Sequence, residues 1–251
     1  MMGPNDIAPW HRRMVNRLPR WVRRLILRFE TLIEDRVADF GRSLPAGTRV
    51  LDAGAGECRY AREFSHCRYV AVDLAVGDAD WDYSRLDGVA DLARLPFRDG
   101  SFGAAINIVV LEHVRDPRAV LEELGRVLAP GARLLLAAPQ EWGVHQAPHD
   151  YFRYTRPGLQ WLLERAGFAE IDIEAGGGFF TLLGRRLLDS ILYFQGGWRW
   201  LLFLPAAAVC GVLGVLLPMF DFLDPTRNTT LGYVCTARKP GPEVTSMESS
   251  R

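Results

Sequence analysis

The sequence is poor in cysteine and carries no excess charge of either sign. Four cysteines occur in 251 residues, and none of them belongs to a CxxC pair or to a His/Cys cluster with the spacing of metal ligands. The sequence therefore predicts neither a disulfide framework nor a metal site, and it favours a reducing, cytosolic environment. Because 30 basic residues balance 30 acidic ones, no overall field would attract nucleic acid, and no nucleic-acid partner is expected.

The beginning of the chain lacks an unbroken apolar segment, because arginine and proline interrupt every short apolar run, and this argues against a secretory signal peptide. Instead, seven arginines and no acidic residue lie between positions 10 and 29. Apolar residues recur every three to five positions from position 21 to position 40, which predicts an amphipathic helix that ends before Pro45. We expect this basic region, residues 1–44, either to lie on a membrane surface or to pack on a sheet with its arginines in solvent.

Strand-like and helical patterns alternate through most of the chain. The runs RVLDAG, YVAVDL, AAINIVV, RLLLAAP and EIDIEA are strand-like, while YAREF, PRAVLEELGRVL and PGLQWLLERAGF are helical. Asp116 should cap the helix that starts at Pro117, and this helix should stop at Pro130. Alternation of this kind is typical of a parallel sheet covered by helices on both faces. We therefore predict a doubly wound α/β domain over residues 45–239, followed by a disordered tail over residues 240–251.

Residues 179–224 interrupt this alternation with two strongly apolar stretches, 179–194 and 201–220. The pattern predicts an apolar helical hairpin inserted before a last strand that begins near Leu231. As a helix, the second stretch would be about 30 Å long, enough to cross a bilayer. A single crossing, however, would leave the last strand on the wrong side of the membrane. We expect attachment to a membrane surface, or a buried lid or homodimer contact, ahead of a true span.

The segment VLDAGAG places an acid, Asp52, and two glycines where a buried strand gives way to a helix. Gly54 and Gly56 let the backbone approach a ligand closely, and the next strand ends in Asp73, a carboxylate suited to the two hydroxyls of a ribose. A dinucleotide fingerprint would have a third glycine where this chain has Arg59. An acid at position 52 suits the positively charged amino acid of S-adenosylmethionine (SAM) better than a phosphate. The glycine spacing and this acid distinguish the two kinds of site, and the family resemblance given next adds the weight that favours SAM over a nicotinamide or flavin cofactor.

These motifs resemble, in order, those of class I SAM-dependent methyltransferases, in particular the small-molecule branch that includes quinone-biosynthesis methyltransferases. LDAGAGE looks like the first motif of that family, VAVDL like the second, and ADLARLPFRDGSFGAAINIVVLEHVRDP like the signature between the third and fourth strands. The resemblance covers roughly residues 45–175 and the last strand, and it implies a mostly parallel seven-stranded sheet. Two positions depart from the family pattern. Cys58 replaces the third glycine of the first motif, and Gly103 replaces an acid before the fourth strand.

The resemblance also implies a cofactor site and an activity. In the family, the acid at the position of Asp52 binds the methionine part of SAM, the acid at Asp73 binds the ribose, and the position of Asp91 contacts the adenine. The expected cofactor-binding residues are Asp52, Gly54, Ala55, Gly56, Asp73, Leu74, Asp91, Leu92, Asn107 and Ile108. The implied activity is methyl transfer to a small acceptor, lipophilic or lipid-linked. Two alternatives stay open: a noncatalytic SAM-fold protein that acts as a membrane-associated partner, and an NAD-dependent oxidoreductase.

The cluster HQAPHDYFRYT, residues 145–155, follows the fifth strand at the edge where open α/β sheets bind ligands. His149 beside Asp150 offers an imidazole near a carboxylate, and Arg153 with Tyr154 could orient an anionic or hydroxylated acceptor. We expect His149 to be the catalytic base or an acceptor-binding residue, and the other three to bind the acceptor. The alternative is a loop that supports the next helix, with its own threonine as the helix cap.

Two further expectations concern the acceptor side and the location. Glu112-His113 opens the helix after the fourth strand, and in the family this pair more often steadies the site than takes a proton. We expect a cytoplasmic protein. If the hairpin over residues 179–224 binds lipid, the N-terminal arginines would assist through anionic lipids at the inner face of the membrane.

Overall fold

A sheet of seven strands is the centre of the computed structural model, which describes residues 19–78 and 80–241. The strands are β1 (Arg49–Ala53), β2 (Arg68–Asp73), β3 (Gly88–Val89), β4 (Phe102–Ile108), β5 (Leu128–Pro139), β6 (Ala169–Ala175) and β7 (Gly232–Arg238). Their order is β3-β2-β1-β4-β5-β7-β6, and β7 runs antiparallel to both β5 and β6. The prediction of a doubly wound, mostly parallel seven-stranded sheet is confirmed.

Six α-helices accompany this sheet in the described residues. They are α1 (Arg20–Ile26), α2 (Arg28–Arg42), α3 (Pro117–Val127), α4 (Arg156–Arg165), α5 (Phe179–Ser190) and α6 (Trp200–Leu216). Helices α3 and α4 pack on the side of the sheet to which Leu134 and Leu136 of β5 point, whereas α2 and α5 pack on the side of Leu135. Because successive side chains of a strand point to opposite faces, covering both faces requires the continuous apolar runs seen in the sequence.

The helices on the Leu134 side begin as predicted. The Asp116 side chain accepts a hydrogen bond from the backbone N–H of Ala119 at the start of α3, and Thr155 caps α4 in the same way. Helix α3 ends at Val127 rather than at Pro130, because β5 already begins at the next residue. The segment YAREF does not form the predicted α-helix and makes a short 3-10 turn at Ala61–Phe64.

The predicted N-terminal helix is broken at Leu27, where a φ of −120° and a ψ of 49° separate α1 from α2. Arginines of α1 turn back onto α2, and the pairs Arg23–Glu34 and Arg24–Asp35 neutralise part of the basic face. The three arginines that precede position 18, and the predicted tail from residue 242 onward, lie outside the described residues.

The apolar insertion forms the predicted hairpin of α5 and α6. The two helices approach closely at their glycines, since a Cβ atom on Gly214 would lie 2.5 Å from Cγ of Leu188. At the base of the hairpin, Asp221 accepts hydrogen bonds from the backbone N–H groups of Gly178 and Thr181. Among the described residues, one helical segment is long and apolar enough to cross a membrane, Gly197–Leu223, and 6% of its most apolar window is buried.

Candidate functional site

A cavity of about 550 Å³ lies at the carboxyl ends of β1, β2 and β4. It forms there because the chain moves from β1 towards one edge of the sheet and from β4 towards the other, so that the connections diverge. Of the ten residues predicted to bind the cofactor, nine line this cavity: Asp52, Gly54, Ala55, Gly56, Asp73, Leu74, Asp91, Leu92 and Ile108. The tenth, Asn107, is buried beside it and donates a hydrogen bond from Nδ2 to the Ala53 carbonyl at 2.8 Å. Cofactor binding by these residues stays a prediction.

The turn after β1 requires both of its glycines. Gly54 has a φ of +89°, and a Cβ atom there would lie 2.5 Å from the side chain of Val110. Gly56 has a φ of +50°, and its Cβ would lie 2.9 Å from the ring of Trp81. Left-handed backbone and crowding both exclude larger residues. A ligand in the cavity can therefore approach the backbone of this turn more closely than it could if the turn carried side chains.

The two departures from the family pattern have structural explanations. Cys58 occupies the left-handed region with a φ of 55°, which favours glycine. Gly103 is the second residue of β4, where a Cβ atom would lie 2.9 Å from Cγ2 of Thr48. Close packing against Thr48 therefore accounts for the small residue at position 103.

Asp52 is a buried carboxyl group at the end of β1, 2% exposed, and Oδ2 accepts a hydrogen bond from the Tyr69 hydroxyl. Burial raises the pKa of Asp52 to about 7; the hydrogen bond from Tyr69 lowers this pKa and the nearby Asp73 raises it. Burial and the adjacent Asp52 also raise the pKa of Tyr69. A positive charge placed in the cavity beside Asp52 would favour the ionised carboxylate.

Asp73 connects the two turns that frame the cavity. Its Oδ2 accepts a hydrogen bond from the backbone N–H of Gly56 at 2.9 Å, and its Oδ1 accepts one from Ala75 at 2.8 Å. A carboxylate oxygen can accept more than one hydrogen bond, so Asp73 retains capacity to accept from two hydroxyl groups of a ligand. Asp91, on the opposite wall, accepts a hydrogen bond from the backbone N–H of Ala93.

The structure corrects the prediction for three acceptor-binding residues. Asp150, Arg153 and Tyr154 do not line the cavity and instead hold the loop after β5 together. Both oxygens of Asp150 accept hydrogen bonds from Arg153, at 2.6 and 2.8 Å, and Arg153 also donates to the Trp142 carbonyl. Although burial raises the pKa of Asp150, the hydrogen bonds from Arg153 and from a backbone N–H outweigh it and lower this pKa to about 2. The Tyr154 hydroxyl donates to the Leu111 carbonyl at 2.7 Å.

His149 lines the cavity, but Asp150 does not orient it as predicted. The Asp150 carboxylate faces His145, with Oδ2 at 3.5 Å from Nδ1, as well as Arg153. Nδ1 of His149 lies 3.1 Å from the Tyr151 hydroxyl instead. The prediction that Asp150 lies beside the His149 imidazole is therefore wrong, because the side chains of neighbouring residues in an irregular loop need not point the same way.

Sequence reasoning missed the cluster formed by Glu112, His113 and His145. The Glu112 side chain is fully buried, and neither of its oxygens has a hydrogen-bond partner in the part of the chain that the structure describes. Burial raises the pKa of Glu112 to about 8. The rings of His113 and His145 contact each other edge to face, with their centroids 4.6 Å apart, and both residues line the cavity. Burial lowers the pKa of His113. The Glu-His pair was visible in the sequence, but its contact with His145 depends on the path of the loop after β5.

The strand order of the sheet matches the Rossmann-like fold of solved methyltransferase structures. Residues 51–136 match a family model described as a methyltransferase domain. A demethylmenaquinone methyltransferase of Clavibacter sepedonicus is 39% identical over 100 residues, covering 36% of this chain and 41% of that protein. A tRNA (carboxymethyluridine(34)-5-O)-methyltransferase of Arabidopsis thaliana is 36% identical over 114 residues, covering 42% of this chain and 28% of that protein.

A solved structure extends the similarity of fold to nearly the whole chain. The 1,6-didemethyltoxoflavin-N1-methyltransferase of Burkholderia thailandensis, with bound 1,6-didemethyltoxoflavin and S-adenosylhomocysteine, has a TM-score of 0.51 and 19% identity, covering 93% of this chain and 91% of that chain. The two curated relatives are matched over less than half of their own length. Residues 51–136 of the chain are therefore similar to a methyltransferase domain, and the curated proteins that resemble this region include a demethylmenaquinone methyltransferase.

Proposed function

We propose that the protein is a SAM-dependent methyltransferase that acts on a small, lipophilic acceptor. One observation carries the proposal: the buried Asp52 carboxyl group and the Asp73 carboxylate line the same cavity on either side of a glycine turn. When bound, SAM supplies a methyl group activated by a sulfonium charge. Methyl transfer requires an acceptor held in line with that group and protected from water.

The residues present fit SAM. Asp52 is a buried acid that a cationic amino acid would stabilise in its ionised form, and Asp73 can accept hydrogen bonds from ribose hydroxyls. Gly56 leaves room that a Cβ atom would fill beside Trp81. Asp91 and Leu92 form the wall expected to contact adenine. A nicotinamide dinucleotide fits less well, because the acid at position 52 faces the place where a pyrophosphate would bind.

Calorimetric titration of the full chain with SAM and with S-adenosylhomocysteine tests this proposal. We expect micromolar binding of both and loss of binding in Asp73→Asn, which keeps the size of the side chain. Asp99→Asn, at an exposed acid of a distant turn, is the matched control and should bind as the wild type does. Absence of binding by folded wild-type protein, or binding of NADH instead, would contradict the proposal. Binding of SAM without turnover on any acceptor would favour the noncatalytic alternative.

His149 is the proposed base or acceptor-binding residue, because its imidazole lines the acceptor side of the cavity together with Trp142 and Gln146. A base is needed only where the acceptor is a hydroxyl or amine that must lose a proton. We expect His149→Ala to bind SAM normally and to turn over at least tenfold more slowly, while the distant His66→Ala keeps full activity. Unchanged turnover of His149→Ala would contradict the proposed role of His149 as the base.

The α5–α6 hairpin is the proposed site of attachment to a membrane surface at the cytoplasmic face. Apart from Arg186 and Arg199, its exposed residues carry no charge and are mostly apolar. They include aromatic side chains at the tip, among them Tyr193, Trp198 and Trp200. Tryptophan and tyrosine favour the boundary between lipid and water. The two ends of the hairpin connect β6 and β7, which are neighbours in one sheet, so α6 would enter one leaflet rather than cross the bilayer alone.

Helix α5 of the hairpin contacts residues that line the cavity. Because the proposed membrane attachment lies so close to the cavity, it favours a lipophilic acceptor. Arg185 of α5 pairs with Glu30 at 2.9 Å and lies 5.3 Å from the ring of Trp142. Glu30 and Trp142 both line the cavity, as does Phe29. An acceptor that leaves the lipid beside α5 would therefore meet an aromatic wall of the cavity first.

Co-sedimentation with vesicles of phosphatidylcholine and phosphatidylglycerol tests the attachment. Wild-type protein should bind, and the double substitution Leu201→Glu/Leu204→Glu should weaken partitioning at least tenfold while SAM binding stays unchanged. Trp161→Glu, at an exposed apolar residue of α4, is the matched control and should partition normally. Failure of the wild type to bind vesicles would contradict the attachment. A concentration-dependent dimer that the same double substitution dissociates would assign the hairpin to a homodimer contact.

A further inference from the structure

Three metal-binding side chains meet at the acceptor side of the cavity. Nε2 of His113 lies 3.8 Å from Oε1 of Glu112, and Nε2 of His145 lies 3.9 Å from the same oxygen. One ligand atom from each of the three residues lies within 4.8 Å of those of the other two. Two imidazoles and a carboxylate are a common ligand set for divalent transition metals.

The hydrogen bonds of both histidines direct a lone pair towards Glu112. Nδ1 of His113 lies 2.6 Å from the His149 carbonyl, and Nδ1 of His145 lies 3.1 Å from the Gly143 carbonyl. A carbonyl oxygen only accepts, so each Nδ1 carries a proton, and the tautomer that this hydrogen bond selects has its lone pair on Nε2. Metal-binding histidines are commonly held in this way, by a hydrogen bond from the other ring nitrogen to a backbone carbonyl or a carboxylate.

The polar atoms of this cluster lack partners that would account for their burial. Glu112 has no exposed surface, and neither Oε1 nor Oε2 accepts a hydrogen bond within the described residues; Nε2 of His113 is also buried without a partner. Buried polar atoms without hydrogen bonds are costly and rare in folded proteins. A cation placed between Oε1 of Glu112 and Nε2 of His113 would give both buried atoms a partner.

We propose that Glu112, His113 and His145 together bind a divalent first-row transition-metal ion at the wall of the cavity. Zinc lies about 2.0–2.1 Å from imidazole nitrogen and carboxylate oxygen, so tetrahedral ligand atoms are roughly 3.3 Å apart. The two Nε2–Oε1 distances, 3.8 and 3.9 Å, exceed this separation by roughly half an ångström, so the side chains must move closer together to bind the ion. His113 and His145 line the cavity, and a site with three protein ligands leaves a coordination position open towards it.

The open position has a consequence that depends on the proposed methyltransferase function. A hydroxyl oxygen bound to such a metal loses its proton more readily, because the metal charge stabilises the oxyanion. The acceptor class that fits is a hydroxylated or phenolic compound whose oxygen coordinates the metal. His149, adjacent to this position, would then contact the acceptor rather than act as the sole base.

Metal binding is measured on untagged full-length protein without SAM, using Co²⁺ and its visible absorption and Zn²⁺ in calorimetry. We expect one ion per chain, and at least tenfold weaker binding in each of Glu112→Gln, His113→Gln and His145→Gln. His66→Gln lies outside the cluster and should bind as the wild type does. Wild-type affinity in all three cluster variants would show adventitious binding and overturn the proposal, as would absence of binding by the wild type.

Two measurements keep the test decisive if a variant is unstable. Circular dichroism and urea unfolding show whether each variant is folded, and paramagnetic shifts of the His113 and His145 ring protons in Co²⁺-loaded wild type identify the ligands without any substitution. Addition of catechol should change the Co²⁺ absorption, and an unchanged spectrum would contradict the open position. Because metal and SAM are titrated separately, loss of one leaves the result for the other intact.

Discussion

The Tyr69 hydroxyl donates a hydrogen bond to the Asp52 carboxyl group across the neighbouring strands β1 and β2. Tyr69 is aligned with Val50, two residues before Asp52, so both side chains project from the same face of the sheet. The tyrosine provides the hydrogen bond that the carboxyl group needs in its buried position. It leaves the other oxygen of Asp52 for a ligand in the cavity.

The affinity for SAM should depend on pH through Asp52. Its pKa is raised to about 7 by burial, so below pH 7 the ligand-free protein holds a neutral carboxyl group, and a cationic ligand must displace that proton. We expect roughly tenfold weaker SAM binding at pH 6 than at pH 8. Calorimetry in buffers of different ionisation enthalpy should detect a proton released on binding at pH 6.5. Affinity that does not change over this range would contradict the role of Asp52.

The substitution Asp52→Asn should stabilise the fold while it abolishes SAM binding. Because the folded pKa exceeds the unfolded one, near 3.9, the folded state retains a proton that the unfolded state loses. The free energy of unfolding therefore falls as pH rises from about 4 to about 7 and is lowest above that range. We expect Asn to raise it by on the order of 1–3 kcal/mol at pH 8 and by much less at pH 4. Urea unfolding at both pH values measures this difference, and equal gains at pH 4 and pH 8 would contradict it.

The turn after β1 should tolerate no side chain at position 54. Gly54→Ala combines a positive φ with a contact of 2.5 Å between the added Cβ and Val110. We expect it to lower the free energy of unfolding by about 2–4 kcal/mol and to abolish SAM binding. Gly47→Ala is the matched control, because its φ is +78° and nothing lies within 4 Å of the added Cβ. Gly47→Ala should lower the free energy of unfolding by about 1–2 kcal/mol and leave SAM binding intact. Equal effects of the two substitutions would show that the contact with Val110 is unimportant.

The substitution Arg153→Ala should lower the free energy of unfolding and leave the affinity for the acceptor unchanged. Its guanidinium holds Asp150 and two backbone carbonyls of the loop, so Arg153→Ala leaves a buried carboxylate unpaired. We expect a loss of about 2–4 kcal/mol in urea unfolding, partly restored by adding Asp150→Asn. Arg118→Ala removes an exposed pair with Glu122 and should cost less than about 1 kcal/mol. A raised acceptor KM with unchanged stability would restore Arg153 to the acceptor site.

The sequence by itself determined the strands, their two-sided burial and the residues at their carboxyl ends. Parallel strands covered on both faces need continuous apolar runs, and connections that diverge between β1 and β4 leave a cavity at those ends. For this reason the sequence pattern placed Asp52, Gly54, Gly56 and Asp73 at one site, and the resemblance to class I methyltransferases supplied the other five of the nine predicted residues that line the cavity. The apolar hairpin was predictable on the same ground, since no soluble surface helix is apolar on every side.

The tertiary structure alone decided which polar side chains meet. Asp150 turned to Arg153 and His145 instead of His149, and Glu112 met His145, because loop residues follow no fixed period and their directions depend on packing. The break at Leu27 and the left-handed backbone of Cys58 likewise follow no periodic sequence pattern. Periodic elements repeat a local geometry that a sequence pattern reveals, whereas the chemistry of the acceptor side is set by side chains that only the folded chain brings together.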